Sequence, residues 1–119
     1  MRMNNDWARP VVYFEIQARD AETLSVFYKE LFNWNIGDGF IKQIPAGIGG
    51  PENGIGGHMR TGTKPGVTLF IQVKNLEESQ QRAIDLGGKV TSDRFDIPGG
   101  ASIIGIEDPE GNSLTLVQQ

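Results

Sequence analysis

Tyr13–Glu22 reads YFEIQARDAE and Thr68–Glu77 reads TLFIQVKNLE. Laid one over the other, Ile16 and Ile71, Gln17 and Gln72, and Glu22 and Glu77 are identical, while Arg19 and Lys74, and Asp20 and Asn75, exchange like for like. In the first copy Val12, Phe14 and Ile16 alternate with Tyr13, Glu15 and Gln17, the two-residue period of a strand with one buried face. Asp20 then stands where a carboxylate accepts an N–H of a helix's first turn, and Leu24, Phe27, Tyr28, Leu31 and Phe32 follow at helical spacing. Asn33, just past the last of them, tolerates the left-handed conformation that ends helices. The second copy has the same grammar. Val67, Leu69, Ile71 and Val73 form one parity of a strand, and Thr68, Phe70 and Gln72 the other. Asn75 with Glu78 makes a start like a capping box, Leu76, Ala83, Ile84 and Leu86 supply the apolar side of a helix, and Gly87-Gly88 ends it.

The remainder of each half is strand-like and punctuated by glycine. Short strands are expected near Trp34–Ile36, Phe40–Ile44 and Gly56–Arg60, and again near Lys89–Ser92, Ala101–Glu107 and Ser113–Gln118. Each half is therefore β-α-β-β-β, one module over about 10–62 and the other over about 66–119. The run EDPEGN at Glu107–Asn112 is a strong turn, and Pro51–Gly54 takes the equivalent place in the first half. With Gly54 set over Gly111, His58 falls opposite Thr115.

At 119 residues the chain has the length of one domain, so a single domain holds both modules. A formal net charge of −4 with scattered Lys and Arg offers no basic stripe for nucleic acid or an anionic membrane. The absence of cysteine removes disulfides, thiolate metal sites and cysteine nucleophiles. The opening MRMNNDWARP has no apolar signal core, and no run approaches the length of a membrane span. A soluble, cytoplasmic protein is expected.

If each strand–helix unit hides one strand parity under its helix, the other parity faces away, and it is mostly polar: Tyr13, Glu15, Gln17, Thr68, Gln72, Ser113 and Thr115. The expected architecture is α+β, with two βαβββ modules pairing into a cupped sheet around a cavity. YFEIQARDAETLSVFYKELFNW at Tyr13–Trp34, FIQVKNLEE at Phe70–Glu78 and EDPEGNSLTLVQ at Glu107–Gln118 resemble the vicinal oxygen chelate superfamily of glyoxalases, bleomycin-resistance proteins and extradiol dioxygenases. The resemblance covers Val11 to Gln118. It implies the cupped fold and a homodimer, with the cup completed within one chain or by exchange of modules.

Metal-using members of the superfamily place ligands at four positions, which by resemblance correspond to Tyr13, His58, Thr68 and Thr115. Only His58 is an ordinary ligand, whereas a catalytic divalent metal needs about three. No metal and no cofactor is therefore expected. The candidate site gathers Tyr13, Gln17, His58, Thr68, Phe70, Gln72 and Thr115 as ligand-binding residues, with Phe70 as a flat apolar wall. Glu15 is the candidate catalytic base if burial raises its proton affinity, or else the ion-pair partner of Arg60. The Gly-rich Gly47–Gly57 lacks the GK[ST] of a phosphate loop and reads as a flap over a cavity mouth. Asp108, Glu110 and Asn112 lack the bidentate Glu of a calcium loop and read as a hairpin turn. The function expected is binding of a small organic ligand without metal. The alternative is a lyase, isomerase or dioxygenase-type enzyme of the same superfamily, metal-free with Glu15 as base or with a divergent metal site.

Overall fold

The computed structural model describes residues 7–45 and 54–119. The flap at Gly47–Gly57 and the turn at Pro51–Gly54 thus lie mostly outside the described residues. The elements follow the order β1 (Val11–Ala18), α1 (Ala21–Phe32), β2 (Lys42–Ile44), β3 (Gly57–Thr61), β4 (Gly66–Gln72), α2 (Leu76–Asp85), β5 (Lys89–Val90), β6 (Phe95–Asp96), β7 (Ser102–Glu107) and β8 (Ser113–Gln118). The class is α+β. Two compact units emerge, one over Val12–Phe70 and one joining Ile71–Gln119 to the residues up to Val11.

In Val12–Phe70 the strand order is β2-β3-β1-β4. β1 and β3 run parallel with Glu15 beside His58 and Ile16 beside Met59, and β2 adds antiparallel with Gln43 beside His58. Because alternate residues point to opposite faces, this register sends Ile16 and Met59 to one side and Glu15, His58 and Gln43 to the other. Ile16, Ala18, Ala21, Ile36, Ile44 and Met59 form the core with Phe14, Leu24, Tyr28 and Trp34 against it. Asp20 caps α1, its Oδ1 accepting the N–H of Thr23 at 3.2 Å, and Asn33 ends it at φ 59°. Lys42 is buried on the core side, and its ammonium reaches Glu22 Oε1 at 2.8 Å and the Gly39 carbonyl at 3.1 Å. Position 57 admits only glycine, since a Cβ there would lie 2.4 Å from the Phe14 carbonyl oxygen.

The other unit packs α2 on β7, β8 and β5 over Val73, Leu76, Ile104, Ile106 and Leu116. Asn75 caps α2 by accepting the N–H of Glu78 at 2.8 Å. β7 and β8 form a hairpin, while β5 and β6 both pair antiparallel with β7. The hairpin turn is closed by Asp108 Oδ1, which accepts from the N–H groups of Glu110 and Asn112, and by Gly111 at φ 91°.

Four expectations are corrected. Trp34–Ile36 is not a strand: Trp34 stacks on Tyr28 with the ring centroids 5.2 Å apart, and Ile36 drops into the core. Val67 and Leu69 are exposed rather than covered by a helix, and Ile84 on α2 and Leu86 just past its end stand exposed. The strand at Phe95–Asp96 was not anticipated.

Candidate functional site

The polar face of β1 and β3 carries a continuous chain of side chains. Arg60 Nε donates to Glu15 Oε2 at 2.7 Å, His58 Nε2 lies 2.8 Å from the same oxygen, and His58 Nδ1 lies 2.8 Å from the Tyr13 hydroxyl. The Gln43 amide oxygen stands 3.4 Å from that hydroxyl. Phe70 of β4 meets the Tyr13 ring edge-on, with a centroid separation of 5.1 Å, and the His58 ring at 6.4 Å. Parallel register produces the chain: it sets Glu15 and His58 side by side, and Arg60 two residues along β3 returns to the same face.

The proton arrangement follows from the donor inventory. His58 pulls the Glu15 carboxyl down to about 2 against the opposing effect of burial, and Arg60 adds to the pull, so Glu15 is an anion that only accepts. The facing His58 Nε2 must then carry a hydrogen. A neutral imidazole has its lone pair on Nδ1, which accepts from the Tyr13 hydroxyl. Burial raises the pKa of the Tyr13 phenol, so it stays protonated and donates. Glu15 is thus the ion-pair partner of Arg60, and a carboxylate held at about 2 is a weak base at neutral pH.

Tyr13, Glu15, His58 and Phe70 therefore come together. Gln17 turns elsewhere, its Oε1 accepting the Lys64 N–H at 3.0 Å while the side chain covers Gly62. Thr68 is half-buried on β4 of the same unit. Gln72 and Thr115 belong to the second unit, where the Gln72 N–H donates to the Pro10 carbonyl and Thr115 on β8 pairs with Gly105. Arg60 and Gln43 complete the cluster. Arg60 was legible only as a partner of Glu15, and nothing in a three-residue strand flagged Gln43.

A groove of about 490 Å³ opens on the other side of β1, lined by Ile16, Leu24, Tyr28, Arg19, Pro65 and Gly66 among others. Of the expected site residues only Gln17 borders it. Of its polar groups, Gln17 is bonded to Lys64 and Asp20 to Thr23 at the helix start, while Arg19 also lines it. The side-chain cluster at Tyr13 is the better candidate because it brings together Tyr13, Glu15, His58 and Phe70 of the expected site, whereas the groove has only Gln17.

The metal that the superfamily's metal-using members hold does not fit these residues. Both His58 nitrogens are engaged, Glu15 is neutralised by Arg60, and a guanidinium beside the carboxylate opposes a cation. Among the described residues no three His, Cys, Asp or Glu side chains converge.

The family model of the glyoxalase-like domain matches residues 13–117. The chain belongs to that family, and with it to the vicinal oxygen chelate superfamily. Its fold is similar to a glyoxalase/bleomycin resistance protein/dioxygenase superfamily member from Vibrio splendidus 12B01, with TM-score 0.67 and 12% identity over 94% of this chain and 100% of that one. Methylmalonyl-CoA epimerase from Mycobacterium tuberculosis gives 0.60 at 14% identity, covering 91% and 86%. The 2,2',3-trihydroxybiphenyl 1,2-dioxygenase of Sphingomonas wittichii strain RW1 gives 0.63 at 13%, covering 93% of this chain and 40% of that chain. At these identities the likeness establishes the fold alone. A search of curated proteins finds no match to the sequence. Among the described residues no helix is long and apolar enough to cross a membrane.

Proposed function

We propose that this glyoxalase-family chain binds a small organic ligand at the Tyr13–His58–Glu15–Arg60 face without a divalent metal. The observation that carries the reading is the commitment of both His58 nitrogens and the Glu15 carboxylate to protein partners, with Arg60 in place of a cation. Phe70 offers an apolar ring beside these polar groups, the mixture that small-molecule sites use. Elemental analysis of protein purified without chelators is expected to find far less than one metal per chain. About one Zn, Ni, Mn or Fe per chain, lost in His58→Ala, overturns the reading and favours a metal enzyme of the superfamily.

The same reading includes self-association. Val26, Phe27, Leu31 and Phe32 of α1 are each more than half exposed, and Phe27 and Leu31, four residues apart, lie side by side as an apolar pair that a water-facing helix does not need. Light scattering at tens of micromolar, by order of magnitude, is expected to give a homodimer, and Phe27→Glu with Leu31→Glu to give a monomer. A wild-type monomer refutes this part of the proposal.

A further inference from the structure

We infer that Tyr13 is the acid–base group of the site, with His58 as its proton acceptor and Glu15 as the positioning residue that fixes the imidazole. The inference rests on the metal-free reading above and assigns the chemistry of the same face.

The chain Arg60 to Glu15 to His58 to Tyr13 is directional. Arg60 and the His58 Nε2–H both donate to Glu15 Oε2, which leaves Nδ1 as the acceptor for Tyr13. The hydroxyl proton has a second acceptor in Gln43 Oε1, but 3.4 Å against 2.8 Å gives His58 first claim. Either way the hydroxyl proton is donated to a protein acceptor, which leaves the Tyr13 oxygen's lone pairs to accept from a ligand. A proton arriving from a ligand's O–H or N–H forms a new bond to that oxygen, the old Tyr13 O–H bond breaks, and the hydrogen passes to Nδ1. Electrons and atoms balance with no oxidant. The resulting imidazolium keeps its Nε2–H bond to Glu15 Oε2, and its new Nδ1–H faces the Tyr13 oxygen.

This arrangement, with a reactive oxygen bonded to a base and the base bonded to an orienting carboxylate, is the general geometry of an activated hydroxyl. The charged groups facing His58 are Glu15 from β1 and Arg60 from its own strand. β2 contributes neutral Gln43, with Lys42 on the opposite face, and β4 contributes Phe70.

Composition makes the test clean, because the chain has one histidine and two tyrosines. Tyr28 stacks on Trp34 and serves as an internal reference. The full chain, chelated beforehand, is treated with p-nitrophenyl acetate and the acetyl group is mapped by mass spectrometry. Attack by the Tyr13 oxygen expels p-nitrophenolate while His58 takes the phenol proton. The expected result is acetylation of Tyr13 on the order of 10²-fold faster than in His58→Gln. Its rate should follow the fraction of neutral imidazole read from 15N resonances of the single histidine on the same sample. Those resonances should also report the Nε2–H tautomer in the neutral state. Glu15→Gln is expected to lose that tautomer preference and slow Tyr13, leaving Tyr28 unchanged.

A Tyr13 rate that is unaltered in His58→Gln, or a neutral His58 protonated on Nδ1, overturns the inference. The tautomer measurement uses the wild-type chain and stands even where a variant fails to fold. Metal content is measured separately, so a failed metal-free reading is distinguishable from a failed relay.

Discussion

Met59→Ala is expected to lower the unfolding free energy by about 2–5 kcal/mol, the range for emptying a large side chain from a packed site. Met59 has no solvent exposure and sits on β3 beside Ile16 of β1, with Ile44, Ile36, Ala18 and Ala21 in the same cluster. The void cannot close easily, because β3 is held between β1 and β2 and Gly57 already lies as near the Phe14 backbone as a residue without a Cβ allows. Leu69→Ala is the contrast. Its side chain is 39% exposed, so its truncation should cost about 1 kcal/mol or less. Urea unfolding at constant m-value reads both, and equal losses at the two positions contradict the packing described.

The difference between those two residues marks how far the sequence could be read. Alternation in VYFEIQ separates Phe14 and Ile16 from Tyr13 and Glu15, and the caps at Asp20, Asn33 and Asn75 stand where their side-chain chemistry puts them. These features are local, governed by a strand's period and by the first turn of a helix. Leu69 obeys the same alternation and is nevertheless uncovered, because parity states which residues share a face and not whether anything lies over it. Trp34–Ile36 has strand composition, yet ring stacking on Tyr28 takes the segment out of the sheet. The site was legible as a set of residue types and illegible as a circuit. His58 and Glu15 are 43 positions apart, and only the parallel register of β1 with β3 puts one beside the other. That register also brings in Arg60, which together with His58 decides between the two expectations for Glu15 in favour of the ion pair.

Fixing Glu15 as an anion has a second large consequence, in acid. His58 and Arg60 hold its carboxyl at about 2 in the folded protein against an ordinary 4.5. A group whose folded pKa is depressed adds stability above its unfolded value, and that stability drains as pH falls through the folded value. The contribution of Glu15 is therefore complete above about pH 4.5 and disappears between there and about pH 2. Arg60 is about a third exposed at 32%, so water screens part of the interaction. About 1–2 kcal/mol is the appropriate magnitude. Glu15→Gln removes the titration and also strips His58 and Arg60 of their shared acceptor. It should be less stable than wild type at pH 7 and lose less on acidification, so the two urea midpoints converge toward pH 2. Asp20, Glu77, Asp96 and Asp108 also have lowered values, but they titrate in both proteins and cancel in the difference. A gap between the variants that stays constant from pH 7 to pH 2 means that Glu15 is not held as an anion, and the proton order assigned to His58 and Tyr13 falls with it.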